Sequence, residues 1–356
     1  MKNRQSVTEI AATVIVRLLQ TAARVGAEPA DILARARVPY TMSELSGGMA
    51  TVPRQHGVAI YRECITTIGW HSSQLDHKPQ MHPDEFRLMC YCVISCRTFR
   101  DVIDRQAMFF RTRGDRISVM ELREDGPMAV VTVDTLRRRK SFGAFLSDLA
   151  GMSIFTRFYA WLLGIGPHDF QVQLMHSSSY ANDAVADFFV GDLIFDGAVN
   201  SISFSQILLA MPIVRTAEEL DRLLLDFPFE FMSALPIEMP LGDRIRSIYS
   251  ISLARGAPVP PLSALAELIG QSMSTIRRRL AEDNMSIRVL KDAARRDAAI
   301  YLLRDRRRAV DDVALTTGFR DINSFREAFR RWTGTSPALY RDAQRSDSNL
   351  EDQEYS

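Results

Sequence analysis

Apolar residues along the chain follow two periods. Up to residue 103 they recur mostly three and four apart, the spacing of helices with one buried face, and predict helices over 10–26, 30–37, 56–69 and 86–103. The period then shortens. Residues 117–122 and 129–133 alternate or run apolar on either side of Glu124-Asp125-Gly126-Pro127, a turn signal between strands. A long helix is predicted over 142–163, a strand over 170–175, a helix over 182–189, and strand-like runs near 193–195 and 201–204. That order reads as α+β, with helices and an antiparallel sheet rather than a βαβ repeat. Two prolines within 235–240 mark a linker, and helical spacing then returns as far as Arg341. The expected organisation is an α+β domain over 8–235, a linker over 236–242, an all-α domain over 243–342 and a polar, disordered tail over 343–356.

Inside the all-α part, two short amphipathic helices each stop at a glycine and are followed by a second helix with a polar start. The first unit runs from Leu262 through Gly270 to Leu280, the second from Val310 through Gly318 to Trp332. Glycine readily takes the left-handed backbone that ends a helix. Ser272 suits the N-cap that follows in the first unit, and Asp321 or Asn323 in the second. Leu265, Leu268, Ile276 and Leu280 would close one small core; Val313, Phe319, Phe325 and Phe329 would close the other. Ser274, Thr275, Arg277 and Arg278 then face outward on one second helix, and Asn323, Ser324, Arg326, Glu327 and Arg330 on the other. Arg bonds bidentately to guanine and Asn to adenine, so both outward faces suit base edges in a major groove. A helical bundle with solvated arginines shares this local pattern.

Charge separates the two readings. Residues 243–342 hold 19 Lys and Arg against 12 Asp and Glu, a net of +7, whereas residues 1–242 carry −3 and the tail −3. The whole-chain value of +1 hides a basic module on a mildly acidic partner, the distribution of a DNA-binding domain. Arg304, Arg306, Arg307 and Arg308 before the second unit are either phosphate contacts or a solvated helix end. Residues 1–20 lack an apolar core ended by a small-residue cleavage site, and no apolar run approaches membrane-spanning length, so the expected location is cytoplasmic. Cys90, Cys92 and Cys96 lie on the predicted 86–103 helix; free reduced thiols are the expectation, a redox or metal role the alternative. His71, His77 and His82 have no metal spacing, and no metal or cofactor is expected. The chain has no Gly-rich phosphate loop, no HExxH and no Gly-x-Ser-x-Gly elbow, which argues against an enzyme.

The C-terminal hundred residues closely resemble the AraC family of bacterial transcription regulators. The resemblance is carried by Ala314-Leu315-Thr316-Thr317-Gly318-Phe319 and by Ser324-Phe325-Arg326-Glu327-Ala328-Phe329-Arg330-Arg331-Trp332-Thr333-Gly334-Thr335-Ser336-Pro337, with glycine and proline read as ending the last helices. It implies two recognition helices in successive major grooves about one helical turn apart, held by the connecting helix over 287–303. By position, Ser274, Arg277 and Arg278 match base-reading places on the first helix, and Asn323, Ser324 and Glu327 on the second. Glu327 departs from the many members with Arg there. A carboxylate can accept from cytosine N4 but is repelled by phosphate, so this helix either reads weakly or pairs Glu327 with Arg330 or Arg331.

The N-terminal region is more loosely similar to the arabinose-binding-like sensor domain of one AraC subgroup. Matching pieces are Ala22-Ala23-Arg24-Val25-Gly26, His82-Pro83 with the following helix, Asp196-Gly197-Ala198-Val199-Asn200 and Leu209-Ala210-Met211-Pro212; Gly69-Trp70-His71 stands where members typically have Gly-Asp-Pro. The resemblance implies a small-molecule sensor, not an arabinose site. Together the two likenesses imply an effector-responsive activator whose partners are promoter DNA, RNA polymerase, a small molecule and a second copy of the chain. The alternatives are an effector-independent regulator whose N-terminal domain only dimerises and an enzymatic domain fused to the DNA-binding module. For the ligand, Phe142, Phe145, Phe155, Phe158, Tyr159 and Trp161 form a stripe that is either core or a pocket wall. Arg137, Arg138, Arg139 and Lys140 are either a carboxylate clamp at its mouth or a solvated run.

Overall fold

The computed structural model describes residues 9–76, 81–113, 118–136, 140–181, 192–225, 227–229, 239–254, 256–303, 305 and 307–342. The chain forms two compact units that divide between Glu238 and Met239. The helix predicted over 182–189, residues 236–238 of the predicted linker, Arg304, Arg306 and the tail from residue 343 lie outside the described residues; residues 241–242 of that linker are helical.

In the first unit a short antiparallel pair, β1 (Glu9–Ala11) with β2 (Thr51–Pro53), frames α1 (Ala12–Arg24), α2 (Pro29–Arg35) and α3 (Met42–Ser46). Three longer helices follow: α4 (Arg54–Asp76), α5 (Pro83–Ile94) and α6 (Phe99–Thr112). The single helix expected over 86–103 is therefore two. Thr98 breaks it: its hydroxyl accepts from the Asp101 amide while the Asp101 carboxylate accepts from the Thr98 amide, a reciprocal cap that starts α6 afresh. Cys90 and Cys92 stay on α5 and Cys96 falls in the break; Cys90 and Cys96 are buried, Cys92 is exposed and none of the three is in a disulfide. Burial pushes the Cys90 thiol well up from its ordinary value, which suits an inert thiol.

The sheet has the order β3-β4-β7-β5-β6, from β3 (Val119–Asp125), β4 (Met128–Asp134), β5 (Phe170–Gln173), β6 (Asp192–Ile194) and β7 (Ser201–Ser205). Two features differ from expectation. The β3–β4 ladder continues to Asp125↔Met128, leaving only Gly126 and Pro127 in the turn; Gly126 takes φ +57, which a two-residue hairpin of this kind requires. And β5 pairs parallel with β6, so the sheet is mixed. One face carries Ala129, Val131 and Val133 of β4, Phe170 and Val172 of β5, and Ile202 and Phe204 of β7, all buried. Phe99 of α6 closes on that face, its ring 5.2 Å from Phe204 and 5.0 Å from Tyr159. Tyr159 belongs to α7 (Phe142–Leu163), of whose 22 residues eighteen are buried, so it runs through the core rather than along its edge. The unit ends with α8 (Ala217–Leu224).

The second unit is all-α: α9 (Leu241–Ala254), α10 (Leu262–Ile269), α11 (Met273–Glu282), α12 (Ile287–Leu303), α13 (Val310–Thr316) and α14 (Ile322–Thr333). Its second half closes on Leu302, Leu303, Val313, Phe325 and Phe329, with Phe319 and Trp332 partly buried against them. The expected role of Pro337 is reversed. Gly334, at φ +79, ends α14, but Ser336 caps the amide of Leu339 and Pro337 starts the next turn, helical over 337–342.

Candidate nucleic-acid interface and ligand cavity

Each two-helix unit is locked by its turn. Gly270 ends α10 at φ +69, and the Ser272 hydroxyl accepts from the Thr275 amide at 3.1 Å to start α11. In the second unit Gly318 takes φ +83, the Phe319 amide returns to the Ala314 carbonyl at 3.0 Å, and Asp321, rather than Asn323, caps α14. Asp321 accepts from the Ser324 amide at 2.8 Å and from its hydroxyl at 2.7 Å. These bonds, the amide's first, hold its carboxyl below the ordinary carboxylate range. Leu265, Ile276 and Leu280 are buried behind α11. Leu268 is only half-buried, at the rim of that small core.

The outward faces follow from those anchors. At about 100° per residue, Ile276 and Leu280 set the inner side of α11 and place Ser274 and Arg278 opposite it, with Arg277 and Arg279 on its two flanks. Ser274, Arg277, Arg278 and Arg279 are exposed; Thr275 is half-buried with its hydroxyl 2.8 Å from that of Ser272, so it serves the cap. On α14, Asn323, Arg326, Glu327, Arg330 and Arg331 line one shallow depression. Ser324 is exposed, but its hydroxyl is occupied by Asp321. Arg279 and Arg331 were absent from the sequence-based set, although each adjoins a residue that was in it.

The free cations stand out against the paired ones. Arg277, Arg279, Arg326, Arg330 and Arg331 have no ion-pair partner among the described residues, whereas Arg278 sits 3.8 Å from Glu282. Glu327 likewise pairs with neither Arg330 nor Arg331, which leaves its carboxylate presented outward. Arg295 and Arg296 of the connecting helix α12 are engaged internally: Arg296 with Asp297 at 3.0 Å, Arg295 with Asp292 at 3.8 Å and over the Phe319 ring. Arg308 lies 3.9 Å from Asp305.

In the first unit a cavity of about 390 Å³ opens between α4, the start of α5, the end of β4 and one face of α7. The face is that of Leu146, Ser147, Gly151 and Phe155. Of the proposed aromatic wall only Phe155 reaches it. Phe145 stacks on Tyr180, Phe158 on Trp161, and Trp161 under Arg215, all in the core; Phe142 is half-buried beneath Arg24. Arg137, Arg138 and Arg139 lie outside the described residues. Asp148 also borders the cavity and is fully buried. Its Oδ2 meets His176 Nε2 at 2.9 Å and accepts from Asn200 at 3.0 Å, tying α7 to the sheet. Among the described residues no three His, Cys, Asp or Glu side chains gather as metal ligands, and no helix is long and apolar enough to cross a membrane.

A sequence profile of the arabinose-binding domain of AraC transcription regulators matches residues 26–213, more than half of the chain, and a helix-turn-helix profile matches residues 265–343. The chain belongs to the AraC family of transcription regulators. Its relatives carry regulatory names, not enzymatic ones. The HTH-type transcriptional regulator VqsM of Pseudomonas aeruginosa is 38% identical over 84 residues, which is 24% of this chain and only 26% of that protein. An HTH-type regulator of Mycobacterium bovis, Mb1430, is 26% identical over 264 residues, covering 72% of this chain and 74% of its own. The ornithine utilization regulator of P. aeruginosa is 31% identical over 112 residues, 32% of either chain. For this AraC-family chain, then, the capped pair α10–α11 and the pair α13–α14 form the helix-turn-helix DNA-binding domain.

Proposed function

We propose that this AraC-family regulator reads a two-block promoter site with α11 and α14, and that a small molecule held in the α7 cavity controls this reading and switches transcription on. The presentation of unpaired Arg277 and Arg279 on one helix, and of Asn323, Arg326, Arg330 and Arg331 on the other, carries the DNA part of the proposal. Arg277 and Arg278 read bases, Asn323 suits adenine, and Glu327 selects cytosine through its N4 amino group. Arg326, Arg330 and Arg331 hold phosphates around it and offset the repulsion of its carboxylate. The cavity carries the effector part, because its volume falls within the ~300–1,000 Å³ of small-molecule sites. Control requires only that the ligand favour one state of the regulator over another. A second copy of the chain and RNA polymerase complete the assembly at the promoter.

Selection of the full-length protein on random DNA at fixed salt tests this. Two enriched blocks about one helical turn apart support both readers. One block reduces α14 to a phosphate anchor, and no enrichment above salt-sensitive background overturns sequence-specific reading.

A further inference from the structure

The chemistry of the cavity wall narrows the effector proposed above to one class. Three buried polar atoms on that wall, Arg87 Nε, Ser147 Oγ and Thr135 Oγ1, have no hydrogen-bond partner among the described residues. All three can donate. Leaving such groups unpaired away from water is costly, so the wall is complementary to a group that accepts several hydrogen bonds at once.

Charge points the same way. Arg62, also on the wall, has no ion-pair partner among the described residues, and Arg87 meets Asp84 only at 4.0 Å while one terminal nitrogen donates to the Leu224 carbonyl. Of the two carboxylates on the wall, the buried one is engaged and the exposed one is held only loosely. Asp148 is held by His176 and Asn200, whereas Asp84 lies at the exposed rim, 4.0 Å from Arg87. An amine would find only the exposed Asp84 at the rim; an anion finds two arginines and two hydroxyls.

Most of the rest of the wall is carbon, from Ile65, Phe86, Phe110, Val133, Leu146 and Phe155. Gly151 shows that the space is not accidental slack. It lies in the middle of α7, where glycine weakens a helix, yet a Cβ placed there would meet no atom within 4 Å. No packing neighbour requires this glycine; it faces the void. At roughly 30 Å³ per atom the space takes on the order of a dozen non-hydrogen atoms.

We infer that the cavity binds an apolar monocarboxylate of about that size, its carboxylate received by Arg87, Arg62, Ser147 and Thr135 and its hydrocarbon body lying against Phe155 and across Gly151. This assignment rests on the effector pocket of the previous section.

The test uses the full chain and three probes of one shape: 4-phenylbutanoate, 4-phenylbutan-1-ol and 4-phenylbutylamine, each titrated by calorimetry and by thermal melting. The expected result is binding of the carboxylate about tenfold or more tighter than the alcohol, with the amine weakest. Arg62→Gln and Arg87→Gln should each abolish that preference while the alcohol still binds. Gly151→Leu, which fills the void, should abolish binding of all three while the variant still melts cooperatively. Binding of the alcohol or amine as tight as the carboxylate overturns the carboxylate assignment and leaves the pocket standing. Failure of all three probes to bind the wild-type chain overturns both.

Discussion

Replacing Arg277 by Ala separates base reading from general attraction to DNA. The side chain is exposed, has no ion-pair partner among the described residues, and lies beside the buried anchors Ile276 and Leu280, which the substitution leaves intact. Folding should therefore change by no more than about 0.5 kcal/mol. Loss of a bidentate guanine contact costs about 1–3 kcal/mol, which is roughly 5- to 150-fold in Kd on the selected site. On scrambled DNA only one charge is lost, which shows as a salt slope shallower by about 0.9 if that charge met phosphate. Arg278 is a built-in comparison, since it is 73% exposed and lies 3.8 Å from Glu282. At that exposure the pair is screened and holds the arginine only loosely, so Arg278→Ala should show the same site-specific loss. Fluorescence anisotropy on the selected and scrambled duplexes at three salt concentrations, with melting curves as the folding control, gives all these quantities. Equal loss on both duplexes for Arg277→Ala would refute its role as a reader and make α11 a phosphate clamp.

Three further outcomes are expected. Gly151→Ala should stabilise the first unit by about 1 kcal/mol, raising its melting temperature by roughly 2–4 °C, because the helix gains a better former and the new methyl meets nothing; a lowered melting temperature would show that the void does not exist in solution. Phe325→Ala or Phe329→Ala should cost about 3–5 kcal/mol, since both rings are fully buried in the α13–α14 core, and should abolish DNA binding together with the cooperative melt of the second unit; retained binding at physiological temperature would contradict that core. Asp321→Ala should destabilise α14 in a pH-dependent way. The native carboxyl titrates below its unfolded value of about 3.9, so its contribution is fully present above that pH and disappears as pH falls through the native value. The gap between wild-type and variant melting temperatures should close on acidification, and a gap that stays constant from pH 6 to pH 3 would rule out the charged cap.

The reach of the sequence differs between the two units for a physical reason. In the two helix-turn-helix pairs the helices are short, and α11 and α14 are capped by neighbours in sequence. The periodicity of Leu265, Ile276 and Leu280, the glycines at 270 and 318 and the cap at Ser272 were therefore legible from composition and spacing, while the second cap was narrowed only to Asp321 or Asn323. Likewise α7 was readable end to end, because a continuous apolar run bounded by Ser141 and Gly164 has one helical solution. Thr98 was a local signal of the same kind, overridden in reading by the apolar period running across it.

What no local pattern contained was which side of α7 would be left uncovered. That depends on the sheet order, on the parallel β5–β6 pair and on the Asp148–His176–Asn200 contact, each joining segments far apart in the chain. Most of the aromatic stripe, the obvious feature by composition, went into the core because large rings contribute most when fully buried; Phe155 alone reached the cavity. The cavity fell instead on the side of small Gly151, with Arg62 and Arg87 brought to it from two other helices. Helical period and capping chemistry set the elements; the balance of long-range packing decided where the empty space and its unpaired donors came to lie.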